Sequence, residues 1–377
     1  MPDSLCTVVM IPRDRFSRAE ASYEALCAHT PADYPVVYVD SCHPQPWAGR
    51  LDALAAEGKI TLIRSGFYLS QFEAYNLAIP RVRSKYIIFL DNDIEVTPGW
   101  AEKLVRCAEE TGASVVTPVY EEKEPGQDWK IHMCGGDCGV EEWKGQLCYT
   151  EVHPHQTESL REDLTRCRTG LAELHAFLIT YEILEKMGSF DEQIWFALNH
   201  ADFTLRIRAA GGTIWVESGA SVKFSPPPPI AWQDVGFFFN VWSSERIDAS
   251  LRNFSQKWGV AISPRSAEWF RRFRRRTLYP IRLAVARWFG DFAGKVAWAL
   301  FWPAEAVFAW AVATWTRDPN RRQRFEALGP WRAPGLDPAR IKAFGQKIFS
   351  QPRPLGRELN FDGELDVSAV ASAGVKV

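Results

Sequence analysis

Residues 86–100 read YIIFLDNDIEVTPGW. Residues 86–90 are a continuous apolar run rich in Ile and Phe, the pattern of a parallel strand buried on both faces. The run stops at Asp91-Asn92-Asp93. Carboxylates at the carboxyl end of a strand stand where open α/β sheets bind their ligands. An Asp-x-Asp pair with no basic neighbour suits a hard divalent cation, Mg2+ or Mn2+, and such an ion brings phosphate oxygens with it. Two other readings stay open: a solvated turn in which an aspartate caps the next helix, and a carboxylate metal site without a nucleotide. The strand in front weighs for a site, because it fixes where the carboxylates point. Pro98-Gly99-Trp100 then turns the chain into a helix over 101–111, ended by Gly112.

Outward from this stretch, β-branched runs at 6–11, 36–40, 60–64 and 114–119 predict strands, and the spacing at 18–29 and 71–79 predicts helices. The first strand ends at Pro12, and the second carries Asp40 at its carboxyl end. Strands alternating with helices predict an α/β fold with a mostly parallel sheet covered on both faces. The middle is less regular. Residues 131–139 and 146–152 suggest an antiparallel excursion, with a charged loop at 121–126 before it. A strand at 174–181, helices at 182–187 and 201–210, and a strand at 213–217 follow. Pro226 to Pro229 then form a stiff extended break.

The chain has 377 residues, 46% hydrophobic and 24% charged, enough for a real core. A net charge of −2 argues against nucleic acid as a partner. The composition predicts three parts: a sheet domain over 1–230, a basic, Trp-rich helical region over 231–350, and a loosely ordered tail over 351–377. The N-terminal residues lead straight into a strand without a signal-peptide pattern, and the eight scattered cysteines then read as reduced cytoplasmic thiols. Cys134 and Cys138, with His132, Cys148, His153 and His155 nearby, allow either a structural zinc or a glycine turn flanked by buried thiols.

Taken together, these residues resemble the family 2 glycosyltransferases of the GT-A fold. The order of strand one with Pro12, then Asp40, then FLDND is similar to that family. Residues 187–192, MGSFDE, resemble its GxFDE segment, and DFTLRIRAAGG from Asp202 resembles its D-L-x-L-R-x-R-x-x-G segment. The likeness covers roughly residues 6–224. The resemblance implies a nucleotide-diphosphate-sugar donor and an inverting transfer to a glycan or lipid-linked acceptor, in the setting of bacterial surface polysaccharide synthesis. It places Asp40 at the nucleobase, Asp91 at the ribose or metal, and Asp93 on the metal bridging the diphosphate. Pro12, Asn76 and Asn92 join the donor contacts. A binding protein that has lost its chemistry, and a nucleotidyltransferase, are the alternatives. The second is disfavoured, because Pro12-Arg13-Asp14-Arg15 stands where a glycine-rich nucleotide loop would follow strand one.

The chain departs from the family pattern in places. Asn199-His200-Ala201-Asp202 stands where the family has Glu-Asp-x-Asp, so His200 takes the position of the usual catalytic carboxylate. A histidine can serve as a general base, with Asp202 orienting it or acting instead. Against this, His200 can be a capping residue, and Asp202 can pair with Arg206 one turn on. Glu173 and His175 are expected on one strand face at the acceptor side, where a satisfied half-buried histidine is the competing reading. Lys223 replaces a histidine that often binds the metal. An ammonium suits the diphosphate directly, which weakens the case for a metal.

Beyond the prolines, arginines cluster from 265 to 287, and residues 296–315 contain Glu305 as their only charge. Arginines beside tryptophans suit an anionic membrane surface, so a protein peripheral on the inner face of the cell membrane is one expectation. A homodimer contact is the second. A spanning helix is the third, opposed by Pro303 and Glu305 at its centre.

Overall fold

The computed structural model describes residues 4–352 except 124–126, 157, 159, 161–163 and 228. The first half alternates as its sequence predicts. Strand β1 (Ser4–Ile11) leads to helix α1 (Ala19–His29), β2 (Val36–Ser41), α2 (Trp47–Ala56), β3 (Thr61–Ser65), α3 (Gln71–Ala78) and β4 (Ser84–Asp91). After β4 come β5 (Ile94–Val96), α4 (Trp100–Thr111) and β6 (Val115–Glu122). The excursion consists of β7 (Lys130–Met133), β8 (Asp137–Trp143), β9 (Gln146–Val152) and β10 (Cys167–Thr169). Then follow β11 (Ala176–Thr180), α5 (Tyr181–Met187), α6 (Asn199–Ala209) and β12 (Ile214–Phe224).

The main sheet runs β10-β12-β6-β11-β4-β1-β2-β3, with β5 on β12 and β7 on β6. The sheet is mostly parallel, as the sequence suggests. Strands β4, β1, β2 and β3 are parallel, and β6 and β12 pair in parallel too, but β11 is antiparallel to both β4 and β6. The apolar pattern of a fully buried strand carries no direction, because direction is set by the connection that feeds it. Helix α2 and strand β5 were not expected. Strand β5 is three residues long and exists through its pairing with Val222 to Phe224. The expected excursion is real in part: β8 and β9 form an antiparallel hairpin, whereas β7 joins the main sheet.

Two local features aim the cleft. Ile11 lies opposite Asp91 in the β1–β4 register, so residues 12–15 emerge beside Asp91 to Asp93. Helix α3 starts in a capping box, with the Ser70 hydroxyl accepting from the Glu73 amide and the Glu73 carboxylate accepting from the Ser70 amide. This fixes Gln71 in the first turn, next to the end of β4.

The C-terminal elements are α7 (Val235–Val241), α8 (Ser244–Trp258), β13 (Ala261–Ile262), α9 (Pro264–Phe273), α10 (Tyr279–Leu300), α11 (Trp302–Trp315), α12 (Arg321–Ala327) and α13 (Pro338–Phe349). Phe237, Phe254, Trp258, Phe325 and Phe349 belong to the same continuous core as the sheet strands. The chain also crosses back: the Trp331 amide donates to the Asn76 carbonyl (2.7 Å), and Arg332 pairs with Glu192. Residues 353–377, most of the expected loose tail, lie outside the described residues.

Helix α10 is a hairpin. Gly290 has φ 85 and ψ 163, which reverses the chain. The two arms run antiparallel, with the Trp298 indole donating to the Arg275 carbonyl (3.0 Å) and Arg282 paired with Asp291 (3.1 Å). No single described helix is long and apolar enough to cross a membrane. The apolar stretch at 296–315 divides between the second arm and α11.

Candidate active site

Asp91, Asn92 and Asp93 are all buried at the carboxyl end of β4. Asp91 accepts from Arg13 (3.0 Å) and from Gln71 (2.8 Å). Gln71 in turn accepts from Asn199 (2.7 Å), the first residue of α6. A chain of three hydrogen-bonded side chains therefore ties the first aspartate to the helix that carries His200. Asn92 accepts from the Arg13 amide (3.3 Å) and meets His43 Nε2 (3.1 Å), whose Nδ1 lies 2.9 Å from Asp40. Asp40 also accepts from Arg64 (2.6 Å). Burial works against its charge, but these partners outweigh it and hold its pKa below the ordinary value.

Asp93 differs. One carboxylate oxygen lies 3.5 Å from Arg15, and the other, although buried, has no hydrogen-bond partner. Burial raises its pKa to about 6, against the opposing charge of Arg15 and with the help of Asp14. Asp91 is also pushed up by burial, despite Arg13.

One histidine, His175, stands beside this carboxylate pair. His175 is buried, with Nδ1 2.7 Å from Arg13 and 3.3 Å from Asp91. Burial and then Arg13 hold it neutral, well below its ordinary pKa. Glu173 lies 3.8 Å from Arg13 and 4.0 Å from His132. Glu173 and His175 both precede β11 rather than lying on it, so the expected shared strand face is not there. His200 Nε2 is 2.9 Å from Glu151 on β9. Burial disfavours the imidazolium, yet the charge and hydrogen bond of Glu151, with Glu173 further off, raise its pKa to about 9. His200 is therefore a cation at neutral pH.

The aspartate pair is not free of basic neighbours as its sequence suggests, because Arg13 and Arg15 fold back against it, and what remains open to a divalent cation is the second Asp93 oxygen. A buried carboxylate oxygen without a partner is costly unless a positive group completes it; Asp93, Asp202 and Glu305 each have one, and Asp93 is the one of the three that stands at the strand end beside Asp91. His132, Glu173 and His175 form a second compact donor group within 4.8 Å of one another, beside Asp91. The alternative zinc site does not assemble among the described residues. Cys134 packs with Val119, Ile131 and Val216 in a small apolar cluster, and burial raises the pKa of the Cys134 and Cys138 thiols.

Other expected residues are engaged elsewhere. The Asn76 amide donates to Phe190 O (2.9 Å) and Glu192 (2.7 Å) and accepts from the Phe190 amide (3.0 Å), so it ties α3 to the GSFDE segment. Asp202 is fully buried under α8, accepting from the Trp258 indole (2.9 Å) and paired with Lys257 (2.7 Å). The expected Asp202–Arg206 pair does not form, because Arg206 donates to the carbonyls of Met187 and Ser189. Lys223 lies over the Trp129 ring (5.3 Å). Pro12 delivers Arg13. Sequence reasoning missed Arg13, Arg15, Gln71, His43 and Glu151. The motif Pro12-Arg13-Asp14-Arg15 was visible, but its partners lie 78 residues away.

Residues 7–176 match the family described as Glycosyl transferase family 2. This stretch, a little under half of the chain, is similar to a family 2 glycosyltransferase domain. It runs from β1 to the start of β11 and contains Asp40, both cleft aspartates, Arg13, Gln71 and His175, whereas His200 lies past it. The matched stretch supplies strands β1 to β4 and β6 of the main α/β sheet. A crystal structure of GalNAc-T7 with UDP, GalNAc and Mn2+ is similar to this chain, with a TM-score of 0.48 and 15% identity. The similarity covers 76% of this chain and 58% of that one, so the chain spans less than two thirds of that protein's length. No curated protein matches the sequence.

Proposed function

We propose that this chain is a glycosyltransferase that moves a sugar, with inversion, from a nucleotide-diphosphate sugar to a hydroxyl of a glycan or lipid-linked acceptor, as a step in building a bacterial surface polysaccharide. The observation that carries the reading is the half-satisfied Asp93 carboxylate beside Arg13 and Arg15, inside the stretch similar to family 2. Asp93 would hold Mg2+ or Mn2+, with His132, Glu173 and His175 as a second donor group. A bound ion supplies positive charge against the diphosphate as it leaves. Arg13 and Arg15 supply further positive charge from the protein itself, and Lys223 on its Trp129 platform adds a movable point charge. Asp40 and Asn92, bridged by His43, form a rigid edge for the base and ribose.

Inversion is one in-line displacement. The acceptor oxygen bonds to the sugar's anomeric carbon as the bond to the diphosphate breaks, and the bonding pair leaves with the diphosphate. The acceptor proton passes to His200, which must first give up the proton it holds against Glu151. Asp202 serves to position α6. We propose the same division as the composition suggests: residues 1–230 carry the chemistry, and 231–350 present the enzyme to its acceptor.

Donor hydrolysis tests the reading. Wild type should release nucleoside diphosphate, lose that activity to EDTA and regain it with Mn2+. An Asp93→Asn variant with undiminished turnover would overturn the role of Asp93. Turnover indifferent to chelation would remove the ion.

A further inference from the structure

The tip of the α10 hairpin holds large rings in water. Trp288 is 78% exposed, Phe289 77% and Phe292 81%, on either side of the reversal at Gly290. The arms below the tip are tightly joined. Gly294 is buried, and a Cβ there would lie 2.6 Å from the Arg282 carbonyl, so only glycine lets the arms meet this closely. At the root, Arg274 and Glu305 form a buried ion pair that fixes the hairpin to α11. The exposed rings are therefore presented on a braced support.

The stretch that forms the hairpin is net basic, although Asp291 at the tip pairs with Arg282 and Lys295. From residue 264 to 300 the acids are Glu268 and Asp291, against nine Lys and Arg. Arg287 and Lys295 flank the tip itself.

We propose that the hairpin tip inserts into the headgroup layer of an anionic lipid bilayer. Trp and Phe suit the boundary between headgroups and hydrocarbon, and the arginines attract anionic lipid. A second copy of the chain is a poorer occupant, because apposed hairpins would bring two net-basic stretches together. Each arm is about 10–12 residues long, roughly 15–18 Å, which is short of the ~30 Å hydrocarbon core. The hairpin dips in and returns.

The insertion has a consequence for the acceptor. An apolar cavity of about 450 Å3 lies at the hairpin root, lined by Ile230, Phe239, Leu278, Phe301 and Phe308 among others. Pro229 also lines it, and the Pro229 carbonyl accepts from Arg15 (3.4 Å), the partner of Asp93. The root of the hairpin and the acidic cleft therefore share a wall. The inference deepens the acceptor side of the proposed function, and it rests on that reading only for the lipid being a substrate.

Full-length protein is sedimented with phosphatidylcholine vesicles, with and without phosphatidylglycerol, at low and high salt. Wild type should pellet with the anionic vesicles at low salt and be released at high salt. Trp288→Glu/Phe292→Glu should lower that binding by about tenfold or more, with an unchanged circular dichroism spectrum and unchanged donor hydrolysis in the absence of vesicles. If the double variant pellets as wild type does, the inference falls. It falls equally if wild type is a vesicle-indifferent dimer that the double variant converts to monomer. Donor hydrolysis is read from the same samples, so its absence counts against the transferase reading and leaves vesicle binding to judge the hairpin.

Discussion

In the acidic cleft, charged atoms are packed away from water: Asp91 and Asp93 are almost wholly buried, and one Asp93 oxygen has no partner. In the α10 hairpin, aromatic rings stand out in water around Gly290. Each region departs from the usual segregation of polar from apolar surface, in opposite directions. Each departure names what is missing. The free Asp93 oxygen is what the proposed cation would complete, and the exposed rings are what the proposed lipid would cover. The lesson is that a ligand class can be read from the kind of atom left unsatisfied. It also follows that the two regions should fail independently.

Breaking the cleft at Arg13 should have the largest effect on stability. Arg13→Met removes the partner of Asp91 and leaves a carboxylate buried without its cation, so the fold should lose about 3–5 kcal/mol in chemical denaturation. Arg287→Met at the hairpin tip should stay within ~0.5 kcal/mol of wild type. Equal losses would erase the contrast.

Asp93→Asn should lower turnover by roughly 10²–10³-fold. It should also raise the melting temperature in the absence of metal, because burial already disfavours the Asp93 carboxylate. A variant that is both inactive and less stable would show Asp93 to be a structural residue.

His200 sharpens the account through pH. Its pKa in the fold, about 9, lies above the ordinary 6.5. The stability it gains from Glu151 is therefore fully present below about 6.5 and is lost as pH rises through about 9. The stability gap between wild type and His200→Gln should close over that window. If His200 takes the acceptor proton, kcat/KM should climb about tenfold per pH unit below pH 9 and then level off. A rate falling over the same range would make His200 a cationic partner of the donor instead.

Among the changes expected to be measurable, the hairpin brace comes last. Gly294→Val should cost roughly 1–3 kcal/mol through the clash with the Arg282 carbonyl. Vesicle binding should weaken while donor hydrolysis without vesicles is spared. Loss of hydrolysis would couple the two regions after all.

Parts of both regions were legible in the chain. The apolar run ending in Asp91-Asn92-Asp93 announced a strand and its terminal carboxylates, because burial on both faces leaves a continuous apolar signature. The aromatic and basic character of 270–315 was equally plain. The partners were not. Arg13 and Gln71 meet Asp91 from 78 and 20 residues away, and Glu151 meets His200 from 49 away. Asp202 looked as available as His200, yet Trp258 and Lys257 cover it from α8. Asn76 looked like a donor contact, but its amide is committed to the 190–192 segment.

The sequence by itself determined the element types, the strand-end position of the two aspartates and the change of character after the prolines. These follow from local periodicity and composition, which need no knowledge of neighbours. Only the tertiary structure decided the antiparallel direction of β11, the reversal at Gly290, and which carboxylates are paired, covered or left one partner short. Those depend on which distant side chains share a buried space, where the low dielectric makes each pairing count.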